Sequence, residues 1–222
     1  MNLDAYNLRP ATLDDLPALY RVCLKTGAAG KDASDREDDP DLLGQVFVGP
    51  YVTLEPALAF ALVGPDGPMG YVLGALDTRR FNRKLKDEWL PPLREAERDP
   101  GDDPKRWKGS DWVRHMVHHP FLDIPSVLAP YPSHAHIDLL AEARGHGIGR
   151  HMMETMMESL AGMGSPGLHL QVSPGNVQAQ AFYRNLGFAP LSSPDLPTDT
   201  LFMARRLADE EAEDMPRQAR LS

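Results

Sequence analysis

The segment Ala141–Leu160, AEARGHGIGRHMMETMMESL, decides how this chain is read. Gly145, Gly147 and Gly149 alternate with other residues, Arg144 and Arg150 flank them, and a methionine-rich apolar run follows. Just upstream, HAHIDLL (His134–Leu140) alternates polar and apolar residues, which predicts a strand. Downstream, GIGRHMMETMMESLAGMG has the periodicity of a helix that stops at Gly162 or Gly164. A strand, a bare turn and a helix suit an anion. The first N–H groups of the helix point outward, its dipole favours negative charge, and glycines let a phosphate approach the backbone. The spacing excludes two nucleotide-binding motifs. A dinucleotide site needs G-x-G-x-x-G with an acidic residue about 20 positions on, and a P-loop needs G-K-[ST]. Here Gly149 is followed by Arg150 and His151. Taken alone, such a turn equally suits a tight strand–helix connection.

Working outward, YNLRPA (Tyr6–Ala11) reads as a strand. TLDDLPALYRVCLKTG reads as a helix with Thr12 as N-cap, Asp14 and Asp15 in the first turn and Gly27 at the stop. Leu16, Leu19, Tyr20, Cys23 and Leu24 share its apolar face. A charged loop leads into a short helix around Pro40–Phe47. LAFALV (Leu58–Val63) and MGYVLGALD (Met69–Asp77) predict a hairpin closed by GPDGP. Residues 79–132 carry all three tryptophans (Trp89, Trp107, Trp112) and many prolines. Short helices are expected there within RKLKDEWLPPLREAE and GSDWVRHMVHHP, the whole packing over one face as an insertion. GLHLQVS (Gly167–Ser173) is a strand, NVQAQAFYRNLGF a helix with Gly187 just past its end, and FAPL and TLFMARRL the last strands. This order predicts one mixed α/β domain over 1–207 with six to seven strands, and a charged tail over 208–222.

With 222 residues, 42% hydrophobic and 25% charged, the chain can bury a core of its own. A net charge of −9 argues against a nucleic-acid surface and is compatible with a cationic substrate. There is no apolar run long enough to cross a membrane and no secretory signal pattern, so a cytoplasmic protein is the expectation. Cys23 is the single cysteine, which rules out an intrachain disulfide and a cysteine metal cluster.

The second half of the chain adds a motif. Arg144, Gly147 and Gly149 fit Q/R-x-x-G-x-G/A, and after one more strand Asn176, Ala179, Tyr183, Gly187 and Phe188 fit N-x-x-A-x-x-x-Y-x-x-x-G-F. On these two motifs, which cover about Ser133 to Leu191, the chain resembles the GNAT superfamily of acyl-CoA N-acyltransferases. A narrower likeness lies in YNLRPAT, DLLGQVFVGPYVTLEPALAFAL, GYVLGALD and Trp89-Leu90-Pro91. These are similar to the acetyltransferase-like domain of eukaryotic O-GlcNAcases and its free-standing bacterial relatives. In the eukaryotic domains the cofactor loop departs from the family pattern, whereas here it is intact.

The resemblance implies a GNAT-like, mostly antiparallel sheet flanked by helices, with acetyl-CoA as acyl donor. Its pyrophosphate would lie on the turn formed by Arg144, Gly145, Gly147, Ile148, Gly149 and Arg150. Leu139 and Leu140 would end a strand that splays from its neighbour, their backbone groups pairing with the pantetheine arm and polarising the thioester carbonyl. Asn176 would bond the cofactor, although Asn is equally suited to cap a helix. Tyr183 would protonate the leaving thiolate, or else pack as a core aromatic like Phe182. From the residues themselves, His134, His136 and Asp138 alternate and so share one face of their strand. A histidine there could serve as base, and Asp138 could orient an amine or a neighbouring histidine. Asp77 ends a strand where it could face the cleft. His115, His118 and His119 raise a metal reading, but no H-E-x-x-H and no clear third ligand accompany them, so no metal is expected. The methionines at 152, 153, 156 and 157 read as core.

The expected function is direct transfer of an acetyl group from acetyl-CoA to a primary amine, on a small molecule or a protein lysine. No nucleic acid or membrane is involved, and homodimers are common in such families. The rival is a non-catalytic module of the same fold that binds acetyl-CoA or a protein, distinguished by an occluded acceptor cleft or the lack of a usable base.

Overall fold

In the computed structural model, which describes residues 6–145 and 147–207, seven strands form one sheet. They are β1 (Asn7–Pro10), β2 (Ala59–Gly64), β3 (Gly67–Ala75), β4 (Ser133–Leu139), β5 (Gly167–Val172), β6 (Ala189–Pro190) and β7 (Leu201–Arg206). Their order is β1-β2-β3-β4-β5-β7-β6, and every pairing is antiparallel except β4 with β5. The expected mixed, mostly antiparallel sheet is observed. The tail expected over 208–222 lies outside the described residues.

Strand alternation divides the core in two. On β3, Val72 points into a core with the helix α7 (Ile148–Gly162), and Tyr71 and Leu73 point into the opposite one with α1 (Leu16–Thr26) and α2 (Leu42–Phe47). The methionines of α7 supply the first core: Met152, Met153 and Met156 are fully buried. The helix can lie close because position 74 is glycine; a Cβ there would sit 2.7 Å from the Met156 sulfur. α8 (Val177–Asn185) closes the same side. It ends as its sequence predicts, with Gly187 left-handed at φ +82° and the Phe188 N–H donating back to the Tyr183 carbonyl at 3.0 Å.

One local reading is extended and another corrected. The short helix expected around Pro40–Phe47 is observed as α2, and a second short helix, α3 (Gly49–Leu54), follows it at once, because Pro50 lacks the N–H to extend α2 but suits the first turn of a new helix. Asp77 does not face the cleft; its carboxylate accepts from the Arg80 N–H at 2.9 Å and caps α4 (Thr78–Lys84). That helix runs through a π-turn at Leu85–Trp89 into α5 (Leu90–Ala96), and the wider turn accommodates Pro91 and Pro92 at the start of α5. With α6 (Asp111–His118), these helices make up most of the ordered structure of residues 79–132.

Candidate functional site

The site is created by a parting of strands. β4 pairs with β5 only at Ser133–Leu168 and His134–His169, but stays paired with β3 as far as Leu139. Beyond His134 the β5-facing edge of β4 is therefore open. The Leu140 N–H donates to the Met69 carbonyl at 2.9 Å on the β3 side, so by alternation the Leu139 N–H faces the gap. The Leu140 carbonyl accepts from the Ala143 N–H at 3.0 Å, so both backbone groups of Leu140 are engaged within the protein. Of the two leucines, Leu139 alone presents its N–H to the opening.

The glycine turn sits at the mouth of this gap. Gly145 (φ +90°) and Gly147 (φ +78°) are left-handed, a conformation that side chains other than Gly and Asn resist. Gly147 is the N-cap residue of α7, and no side-chain hydrogen bond caps that helix. The N–H groups of its first turn at Gly149 and Arg150 therefore lack the usual side-chain cap. Gly149 serves packing: a Cβ would lie 3.4 Å from both Leu139 and Phe182. Ile148 is buried in the core beneath. Arg144 braces the turn, its Nε donating to the Leu139 carbonyl (2.9 Å) and its Nη2 to the Gly30 carbonyl (2.6 Å). Arg150 donates to Glu154 (3.3 Å) and to the Asn185 carbonyl (3.0 Å). Asn176 caps α8 through the Ala179 N–H at 3.0 Å.

One cavity of about 1230 Å³ joins this turn to the far side of the sheet. Arg144, Gly147, Asn176 and Tyr183 line it on one side, and Tyr51, Phe81, Trp112 and Phe121 on the other. The Tyr183 side chain is 7% exposed, and burial pushes its hydroxyl above the ordinary range, with the negative charge of Asp138 acting in the same direction. The phenol holds its proton at neutral pH.

His134, His136 and Asp138 share one face of β4, as their alternation predicts, but they are not equivalent. The Thr78 hydroxyl gives its one hydrogen to the Pro132 carbonyl (2.7 Å), so its 2.8 Å contact with His134 is received from Nδ1–H. The Tyr51 hydroxyl then donates to His134 Nε2 at 2.8 Å. Both ring nitrogens are engaged, and burial holds the imidazole well below its usual range, so His134 is a neutral structural residue. Burial brings His136 down to about 4, opposed by the Phe47 carbonyl, and its Nε2 is buried without a hydrogen-bond partner. Asp138 faces the cavity and is partly buried. Burial raises its carboxyl to about 6, against the hydrogen bond from Tyr71, the Thr26 side chain and the charge of Arg144. Tyr71 donates to Asp138 Oδ2 at 2.6 Å from the directly opposed position on β3. Tyr51, Tyr71 and Thr78 were not singled out from the sequence. The register of the β3–β4 pair is the signal that could have found Tyr71, but no sequence spacing reports it.

A sequence model of the acetyltransferase (GNAT) family matches residues 119–188. The crystal structure of SsHAT superposes with a TM-score of 0.83 at 34% identity, over 92% of this chain and 100% of that one. Protein O-GlcNAcase of Rattus norvegicus is 28% identical over 204 residues; the alignment takes in 91% of this chain but 22% of the relative's length. A GNAT superfamily phosphinothricin acetyltransferase from Sinorhizobium meliloti, solved in complex with AcCoA, shares the fold at a TM-score of 0.53 and 16% identity, over 96% of this chain and 94% of that one. With the parted strands, the glycine turn and these likenesses together, the chain belongs to the GNAT family of acetyltransferases.

Proposed function

We propose that this chain is an acetyl-CoA-dependent N-acetyltransferase that acetylates a primary amine, and that it works in the cytoplasm. The observation that carries the reading is one continuous cavity. It brings a bare helix start and an open strand edge into one space with a carboxyl raised to about 6. Acetyl-CoA would supply an activated acyl thioester. The fold neighbour from Sinorhizobium meliloti, solved with AcCoA, supports this donor.

The chain's own groups then divide the work. The first turn of α7 at Gly147–Arg150 would hold the pyrophosphate, as helix starts do. The Leu139 N–H, facing the gap, would donate to the acyl oxygen where charge develops. Asp138 would take the proton of the amine. At neutral pH it is ionised, yet it is a stronger base than an ordinary carboxylate. An alkylamine has a pKa near ~10.4 and must lose a proton before its lone pair can attack. As the nitrogen bonds the acyl carbon and the carbon–sulfur bond breaks, Tyr183 would pass its proton to the thiolate. His136 is too weak a base for this role.

The non-catalytic reading calls for a closed acceptor side, and the cavity's continuation to Trp112 and Phe121 favours the enzyme. A screen of primary amines and lysine peptides, followed by release of free thiol from acetyl-CoA, tests it. Turnover with at least one amine class, lost in Asp138→Asn, is expected. Binding of acetyl-CoA without turnover on any amine would favour the module instead.

A further inference from the structure

On the outer side of the 79–132 region, two histidines and two aspartates converge. His115 in the last turn of α6 and His119 just beyond it are four residues apart and stack, with ring centroids at 4.6 Å and planes at 25°. Their Nε2 atoms turn toward one loop. His115 Nε2 lies 3.2 Å from Asp102 Oδ1, and His119 Nε2 lies 2.9 Å from Asp99 Oδ2 and 4.0 Å from Asp102 Oδ1. The ligand atoms of Asp102, His115 and His119 all fall within 4.8 Å of one another. His118 is not part of the group: its Nε2 donates to the Glu97 carbonyl at 2.8 Å, so that nitrogen has no lone pair to offer. The ligand missing from the histidine sequence comes from the loop before the helix.

We propose that His115, His119, Asp99 and Asp102 form a binding site for one zinc-class divalent transition ion. Two imidazoles and two carboxylates are a donor set for such an ion, and the i, i+4 histidine pair on a helix end sets its geometry. Around a tetrahedral centre with bonds near 2.0–2.1 Å, neighbouring donors are about 3.3 Å apart. The contacts at 2.9 and 3.2 Å already have that spacing; Asp102 has to close on His119 from 4.0 Å, and Asp99, outside the group whose ligand atoms all fall within 4.8 Å, has to swing inward from His119. Asp102 can make that adjustment, its side chain being 86% exposed. Two carboxylates balance the ion's charge. Imidazole and carboxylate bind a metal only in their deprotonated forms, so metal entry displaces any proton shared between His119 and Asp99 and binding releases protons. The ion would pin the loop at 99–102 to the end of α6. Met116, Pro120 and Phe121, next in sequence to these histidines, line the large cavity, so the pin would fix one wall of it.

The test uses the full chain without a histidine tag, stripped with a chelator and titrated with zinc by calorimetry and with cobalt by absorption. One equivalent should bind, cobalt should give the intense visible bands of a tetrahedral site, and protons should be released. His119→Ala and Asp102→Asn should each weaken binding at least about tenfold, while His118→Ala should match the wild type. The exposed Asp102 keeps the test independent of folding. No saturable binding of either ion, or binding unchanged in both site variants, would overturn the proposal.

Discussion

Asp138 and Tyr71 face each other across the β3–β4 pair, the tyrosine hydroxyl 2.6 Å from the carboxylate, at the floor of a cavity that also reaches Tyr183. The hydrogen bond steadies the ionised carboxylate, but burial outweighs it and leaves the group at about 6. A carboxyl so placed costs the fold stability when ionised and gains basicity for chemistry.

Asp138→Asn should therefore separate activity from stability. The folded-state pKa is raised, so the wild type is penalised as pH rises from the unfolded value near ~3.9 through about 6. Asparagine has no charge to bury and can still accept from Tyr71. The variant should melt at higher temperature than wild type at pH 8, by on the order of 2 kcal/mol, and at the same temperature at pH 4. Its turnover should fall at least about 100-fold. In the wild type, kcat/KM should rise with pH through about 6 as the base ionises. A lower melting temperature at pH 8 would contradict this account of the carboxyl.

Tyr183→Phe removes only a hydroxyl from an already buried ring. Turnover should drop about 10- to 100-fold with the KM for acetyl-CoA changed less than threefold, as for a group used only in the transition state. Steady-state kinetics at saturating amine decide it. Unchanged kcat would remove Tyr183 from the chemistry and leave it as packing.

The two alanine substitutions in the glycine turn should behave differently. Gly147→Ala forces a side chain into φ +78°, and should destabilise the protein by about 1 kcal/mol while weakening acetyl-CoA binding through the turn's geometry. Gly149→Ala meets Leu139 and Phe182 at 3.4 Å and has no backbone strain. Its effect should be on packing of α7 against β4 and α8, read as a smaller change in affinity. Equal losses in calorimetric titrations would mean that both glycines act by the same route.

Arg114 holds Asp38 (3.0 Å), Glu97 (2.8 Å) and Asp111 (3.2 Å), and Asp111 also meets Arg98. These contacts tie α6 to the loop ahead of α2. Arg114→Ala leaves a buried carboxylate at Asp111 with one partner fewer, and should cost about 3 kcal/mol in urea unfolding. The Ser110 backbone and then Arg114 hold Asp38 at about 2, and Asp111 is held low by Arg98. Depressed carboxyls stabilise fully above the unfolded value and lose that contribution as pH falls through the folded one. Wild-type stability should thus decline from about pH 4 downward, and Arg114→Ala should show a shallower decline. Parallel curves would speak against the network.

Local sequence patterns made much of the scaffold legible. The β2–β3 hairpin, the methionine face of α7 and the Gly187 stop are each encoded within a dozen neighbouring residues, where periodicity and turn chemistry act. The common face of His134, His136 and Asp138 was readable for the same reason. Their differing roles were not, because Thr78, Tyr51 and Tyr71, which set them apart, arrive from other elements through tertiary packing. Asp102 is the same case: it joins His115 and His119 only once the loop folds back on α6. The break between α2 and α3 was carried by Pro50 and could have been read from it.

The central claim is that the parted β4 and β5 edges and the α7 start receive acetyl-CoA. Calorimetric titration of the purified chain with acetyl-CoA, with NAD as comparison, tests it most directly. The account predicts saturable one-to-one binding of acetyl-CoA, weakened in Gly147→Ala, and no binding of NAD. Absence of acetyl-CoA binding to the folded protein, or equal binding of NAD, would contradict it.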